Sequence, residues 1–320
     1  MPNHPKMPYR SLGNCGTKVS AFSLGGWTTF GGSVKDSQSI SEIIHFAFDQ
    51  GINFYDIADI YAKGQSEIEM GKVLKNFPRN ELVISSKVYF PISDDINDRG
   101  LSRKHIAESI NRSLKNIGTD YLDLYFCHRF DPETPLIETI RSMNDLIHQG
   151  KIHYWGTSQW SVENLQEAHS ICEKFQLIPP QVEQPEYNLI NRHHIDEKLR
   201  PFVQKSGMGV VTWSPLASGV LSGKYSGKNI PQDSRLANID WLRERLLQDN
   251  VLVKADQLVE LATKYKVKAS QLALAWTVAQ KNISSVILGV SRKEQLQENL
   301  QVLELKIPQS ALEELDRLFK

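Results

Sequence analysis

The sequence predicts a single (β/α)8 TIM barrel with an N-terminal β-hairpin and extra C-terminal helices, on three observations. Eight short apolar runs recur along the 320 residues, finishing at Gly26-Trp27, Asp56, Lys87, His128, Ser158, Gln184, Trp213 and Gly289. Helix-spaced segments separate nearly all of them, the pattern of parallel βα units. No linker interrupts the series, which favours one closed barrel, spanning residues 1–320 as a single domain, over an open doubly wound sheet. In such a barrel the residues that end the strands converge on one rim, where active sites of this architecture lie.

Residues 8–12 and 17–20 flank the turn-rich Gly13-Asn14-Cys15-Gly16 and read as a hairpin closing the barrel floor. The first barrel strand falls at 21–24. Residues 36–50 carry Ile40, Ile43, Ile44, Ala47 and Phe48 at helical spacing and stop at Gly51. A strand at 53–56, a short helix at 67–75 and a strand at 82–87 follow. Ser102 can cap a helix bearing Ile106, Ile110, Leu114 and Ile117, ended by Gly118. A strand at 123–127 precedes a helix at 136–149 with apolar Leu136, Ile140, Met143 and Ile147. Strands at 153–157 and 181–184 alternate with helices at 162–175 and 194–206. The last strands fall at 209–213 and 285–288, and helices at 294–302 and 310–318 close the chain. Residues 217–251 read as a long loop, of the kind that folds over a ligand as a lid.

Lys+Arg and Asp+Glu both number 37, so the formal net charge is zero and no nucleic-acid or acidic-membrane partner is indicated. The 3 cysteines, Cys15, Cys127 and Cys172, are odd in number and scattered, which fits free thiols in a reducing cytoplasm. The first residues lack the apolar core of a signal peptide, and no run approaches the roughly 18 apolar residues of a membrane span. A soluble cytoplasmic protein without membrane insertion is the expectation. His193 and His194 diverge on a helix and no Cys or carboxylate completes a metal set, so no metal is expected.

The chemistry concentrates in DIADIY, residues 56–61. Asp56 ends a strand, Tyr61 lies in the loop after it, and Lys87 ends the neighbouring strand. A free tyrosine, with a pKa of about 10, exchanges protons slowly at neutrality. An ammonium beside the phenol favours phenolate and lowers that pKa, and Asp56 would hold Lys87 charged. His128, one strand further round, would orient a carbonyl oxygen. Such a group suits protonation of a developing alkoxide, so a hydride donor, a nicotinamide cofactor, is implied. Singly, each of these residues reads better as a solvated, salt-bridged or rim-packing side chain; four in register on three consecutive strands reverse that and favour function.

No G-x-G-x-x-G follows a strand, and GVLSGK at 219–224 fails as a Walker loop because Tyr225 follows the lysine. The late rim offers another cofactor site. Ser158 and Gln184 would hydrogen-bond a carboxamide, Trp213 would stack on a nicotinamide ring, and Lys224 and Arg235 would clamp phosphates. Gly289-Val290-Ser291 opens into a helix whose amides favour anions. A solvated loop is the bland reading of Lys224 and Arg235. Trp27, Tyr89, Phe90 and Trp160 stand near strand ends, where they line either a substrate pocket or plain core.

At these residues the chain resembles the aldo-keto reductases, in the branch that includes potassium-channel β-subunits. The resemblance runs from about Tyr9 to Leu318 through GGWTTFGG (25–32), GINFYDIADIYAKGQSE (51–67), SSK (85–87), RGLSRKHI (99–106), HRFDPETP (128–135), YWGTSQWS (154–161), EQPEYN (183–188), TWSPLASGVLSGKY (212–225) and SVILGVS (285–291). It implies an NADP(H)-binding barrel that reduces aldehydes or ketones with a tetrad of Asp56, Tyr61, Lys87 and His128. It further implies cofactor contacts at Gly26, Trp27, Asp56, Ser158, Gln159, Gln184, Trp213, Ser214, Pro215, Leu216, Ala217, Ser218, Lys224, Arg235, Gly289, Ser291, Gln295, Glu298 and Asn299. Of these, Ser291, Gln295 and Asn299 would lie near the adenosine phosphate. Trp27, Tyr61, Tyr89, Phe90 and His128 would face the small-molecule carbonyl substrate. The channel β-subunits typically carry Asn in place of His128 and Arg in place of Gln159; the first departure points towards a working reductase. A cofactor-sensing subunit with slow turnover is the alternative. A homo-oligomer, tetrameric by analogy, is the implied assembly, and nothing in the sequence assigns a channel partner.

Overall fold

The structure is a computed structural model that describes residues 7–225, 230–232 and 234–320. A hairpin of β1 (Tyr9–Ser11) and β2 (Lys18–Ser20) precedes the barrel strands. These are β3 (Phe22–Gly25), β4 (Phe54–Asp56), β5 (Val83–Val88), β6 (Leu122–Cys127), β7 (Ile152–Thr157), β8 (Val182–Glu183), β9 (Gly209–Thr212) and β10 (Ser285–Leu288). They pair in parallel and close in the order β10-β3-β4-β5-β6-β7-β8-β9. The expected eight-stranded barrel, its hairpin and its trailing helices are therefore all present.

The hairpin plugs the N-terminal end of the barrel. Leu12 and Val19 pack with Phe54, Val83, Leu124, Phe126, Val182, Val211 and Ile287 into a closed interior core. Gly13 makes this approach possible. It has φ +56°, and a Cβ there would lie 2.3 Å from the Gly209 amide nitrogen. The larger core lies between the strands and the helices outside them.

Around the barrel run α1 (Ser37–Asp49), α2 (Gln65–Leu74), α3 (Arg103–Ile117), α4 (Leu136–His148), α5 (Val162–Phe175) and α6 (Arg200–Ser206). Local signals set their ends. Asp36, Ser102 and Ser161 each accept a hydrogen bond from a first-turn amide, and Gly118 ends α3 at φ +76°. The helix expected at 194–206 divides: residues His194–Leu199 form a wider π-type turn before α6. Pro201 supplies the reason, because it has no amide to donate and its ring crowds the carbonyl one turn back.

The reading of 217–251 as an open loop is corrected. It contains a 3-10 turn (Ala217–Ser222), α7 (Arg235–Asn238), α8 (Asp240–Leu246) and the start of α9 (Asp249–Lys264), with residues 226–229 and 233 outside the described set. Helices this short span too few turns to show a period in the sequence. Then come α10 (Ala269–Ala279), α11 (Lys293–Leu300) and α12 (Gln309–Leu318). Among the described residues, no helix is long and apolar enough to cross a membrane and no His, Cys, Asp and Glu side chains group as a metal site.

Candidate active site

Strand register builds the centre of the rim. Asp56 pairs with Ser85, and Lys87 lies two residues beyond Ser85 on the same face of β5. The Lys87 ammonium therefore reaches Asp56 Oδ2 at 2.7 Å and also donates to the Ile57 carbonyl at 2.7 Å. Ser85 Oγ and Gln184 Nε2 donate to the other carboxylate oxygen, at 2.7 and 2.8 Å. Both charged side chains are removed from solvent, Lys87 fully and Asp56 to 4% exposure. Such a pair persists in a low dielectric because further hydrogen bonds, from Ser85 and Gln184 to Asp56 and from Lys87 to the Ile57 carbonyl, accompany the ion pair.

Tyr61 hangs over this pair from the loop after β4. The loop turns back through left-handed Ala62, Lys63 and Gly64, at φ +49°, +52° and +84°. The Lys87 ammonium lies 4.7 Å from the centre of the Tyr61 ring, and His128 meets that ring edge-on at 5.8 Å. Phe90 packs edge-on against His128 at 4.9 Å, and Tyr89 packs edge-on against Phe90 at 5.2 Å.

The electrostatics depart from the sequence expectation at Tyr61. Burial pushes its phenol above the usual tyrosine range, and Lys87 opposes this without overcoming it. The expected net lowering by Lys87 is thus corrected. Desolvation of the ring by the barrel mouth outweighs one ammonium. Burial also pulls the Lys87 ammonium down, but Asp56 and Tyr61 raise it more, so it stays protonated. His128 goes well below the usual histidine range, through burial first and then Lys87 and Arg129. Its ring is neutral near pH 7, and Nδ1 is buried without a hydrogen-bond partner.

The late strands bring the expected cofactor residues to the adjoining rim. Ser158 Oγ donates to the Gln184 carbonyl at 2.8 Å, while the Gln184 amide is turned onto Asp56. Gln159, Ser214, Ala217 and Ser218 all adopt positive φ, so the backbone around them turns sharply at the mouth. Pro215 follows Ser214 directly, and Leu216 precedes the 3-10 turn. Trp27 and Trp213 form an edge-on pair at 5.9 Å, beside Gly26, whose amide donates to the Asp56 carbonyl at 2.9 Å.

Farther along, the Arg235 guanidinium lies 5.9 Å from the Trp27 ring, donates to Thr29 Oγ1 at 3.2 Å and abuts Gly289. A Cβ at Gly289 would approach Arg235 Nη2 to 2.8 Å. Burial pulls this guanidinium down, and among the described residues it has no carboxylate partner. Ser218 Oγ is likewise buried without a partner. Lys224 lies against Gly219, at 2.7 Å from where a Cβ would stand. Two cations, an orphaned hydroxyl and glycines that leave room form a donor set that fits a phosphate-bearing ligand. Ser291 bonds to Gln295 through its amide at 2.9 Å, and Asn299 is buried on the next turn. Glu298 is engaged by Lys268, so among the candidate contacts it is already partnered.

Sequence reasoning did not single out several polar residues that support this site. Glu183, buried beneath Ser158 and Gln159, accepts from the Thr157 hydroxyl and from the Trp160 amide at 3.3 Å. Glu186 holds Arg245 of α8 through two bonds of 2.9 Å, and this brings exposed Trp241 to 6.5 Å from Trp27. Arg129 donates to the His128 carbonyl and stands 3.4 Å from Ser158 Oγ. Asp59 accepts from Ser109 Oγ of α3 at 2.7 Å and so ties the Tyr61 loop to the helix layer. The motifs DIADIY and HRFDPETP contain Asp59 and Arg129, but adjacency in sequence does not reveal burial.

Burial pushes the Asp59 carboxyl up to about 7, with Ser109 opposing and Glu67 adding to the rise. A carboxyl raised on folding binds its proton more tightly than in the unfolded chain, so its stabilisation is complete at acid pH. It is lost as pH rises through about 7. Asp59→Asn keeps an acceptor for Ser109 and removes the titration. The variant should therefore lose less Tm than the parent between about pH 4 and 7; equal losses by thermal melts would exclude Asp59 as a contributor.

Residues 21–320 match the family model described as "Aldo/keto reductase family". The chain is 42% identical to a protein of Oryza sativa subsp. japonica named "Probable voltage-gated potassium channel subunit beta", across 98% of this chain and 95% of that one. A protein of Arabidopsis thaliana with the same name is 43% identical, across 93% of this chain and 92% of its own. One of Schizosaccharomyces pombe, named "Putative voltage-gated potassium channel subunit beta", is 42% identical across 98% and 93%.

Proposed function

This chain belongs to the aldo/keto reductase family, and we propose that within it the protein is an NADPH-dependent carbonyl reductase that converts aldehydes or ketones to alcohols. The observation that carries the reading is the fully buried Lys87–Asp56 pair beneath the Tyr61 ring, with a neutral His128 at its edge. Nothing in that arrangement serves as a nucleophile with its own base, whereas a phenol over an ammonium can give a proton to an alkoxide.

A nicotinamide cofactor, when bound, would supply the hydride for the carbonyl carbon. Arg235, Lys224 and Ser218 would hold its phosphates; Ser158 and Gln184, its carboxamide; Trp213, its ring. His128, uncharged, hydrogen-bonds the carbonyl oxygen and holds it towards Tyr61. Tyr61 gives that oxygen its proton. The upward shift of the phenol keeps it protonated through neutral pH, which suits a general acid in the reducing direction. Lys87, fixed by Asp56 and the Ile57 carbonyl, stabilises the phenolate left behind. The preference for NADPH over NADH follows from the expected roles of Ser291, Gln295 and Asn299.

A second reading rests on the likeness to proteins named for a potassium channel subunit: a cofactor-sensing regulatory subunit with slow turnover. Turnover separates the two. NADPH oxidation, measured across a panel of aldehydes and ketones with NADH alongside, should show multiple turnovers and favour NADPH. Tight retention of cofactor with negligible turnover would replace the first reading by the second.

A further inference from the structure

The geometry points to a carbonyl substrate that carries an anionic group, a carboxylate or a phosphate, seated on the Arg129 guanidinium beside His128. This rests on the carbonyl-reductase reading and adds the class of substrate. Arg129 is two residues past the end of β6, directly after His128. Its guanidinium carbon stands 5.5 Å from the Phe90 ring centre, and Phe90 lies 4.9 Å from His128, which in turn faces Tyr61. The cation therefore borders the aromatic-walled space where the phenol and imidazole meet, and its charge acts on both of them.

Arg129 lacks the carboxylate partner that several other arginines have, although among the described residues Arg10 and Arg235 lack one too. Arg79 holds Asp123, Arg112 holds Asp98, Arg192 holds Asp196 and Arg245 holds Glu186. Among the described residues Arg129 forms no ion pair, and its hydrogen bonds use Nη1 alone, to the His128 carbonyl and Ser158 Oγ. The carboxylates whose charge reaches it are Glu183 and Glu186. Each is occupied elsewhere, Glu183 by Thr157 and Trp160, Glu186 by Arg245 and Asn191. Burial makes an unpaired guanidinium unfavourable. A guanidinium fork with Nε and Nη2 free matches a carboxylate or phosphate, which would remove that penalty on binding.

The test measures kcat/KM with NADPH for paired substrates: 4-carboxybenzaldehyde against 4-nitrobenzaldehyde, and glyceraldehyde 3-phosphate against glyceraldehyde. Arg129→Met should lower the anionic-to-neutral ratio by roughly tenfold to a hundredfold, the range of a charge-assisted hydrogen bond, with the loss in KM. Arg129→Lys should restore part of it. The pair that responds identifies the anion as carboxylate or phosphate. In the unmutated protein, benzoate should inhibit 4-nitrobenzaldehyde reduction competitively and benzamide should not, which keeps the test open if the variants fold poorly. An unchanged ratio in Arg129→Met, equal inhibition by benzoate and benzamide, or an equal loss of NADPH affinity would overturn the assignment while carbonyl reduction stands. Failure of the unmutated protein to reduce any of these carbonyls would instead bring down the reading beneath it.

Discussion

Tyr61→Phe should lower kcat for carbonyl reduction by about a hundredfold to ten-thousandfold, the usual contribution of a positioned general acid. The substitution removes one hydroxyl and keeps the ring, which packs edge-on with His128 and lies over the Lys87 ammonium. Ring packing is conserved, so NADPH affinity and thermal stability should change little. The pH dependence carries a second signature. Because burial raises the phenol, reduction by the unmutated protein should stay flat through neutral pH and decline only in strongly alkaline solution, as Tyr61 loses its proton. His128 adds no acid limb near pH 6.5, since it is already neutral there. Steady-state kinetics across pH decide this, and turnover by Tyr61→Phe at the parental rate would remove Tyr61 as the proton donor.

Lys87→Met should abolish turnover and also destabilise the fold, by about 3–5 kcal/mol. The ammonium is wholly buried, and its loss leaves Asp56 with only the neutral donors Ser85 and Gln184. An uncompensated carboxylate at 4% exposure is the expensive outcome; the methionine itself fits an apolar setting. Lys87→Met combined with Asp56→Asn removes both charges and should recover much of the stability without recovering activity. Urea unfolding read beside kcat separates the two effects. A double variant no more stable than Lys87→Met would show that the charge left on Asp56 is not the source of the loss.

Much of this protein was legible in one dimension. The strands fall within one or two residues of their expected positions because a parallel strand buried on both faces reads as a short apolar run. Helix ends were legible where a local hydrogen bond makes them, as at Ser102 and Gly118. The segment 217–251 was misread as open loop because α7 and α8 are too short to leave a period. Strand ends also place Asp56, Lys87 and His128 on consecutive strands, so their proximity follows from strand order and barrel closure alone.

The sequence by itself thus determined the barrel, the order of its strands and the set of side chains that reach its mouth. Tertiary structure alone decided how those side chains are charged and partnered. Gln184 meets Asp56 across 128 residues of chain, Glu186 catches Arg245, and among the described residues Arg129 and Arg235 are left without a carboxylate. It also reversed the sign expected at Tyr61, where burial overrides Lys87. The physical reason is the range of the forces. Strand and helix patterns arise from neighbours in the chain, whereas desolvation and charge act through space and depend on what closure brings near.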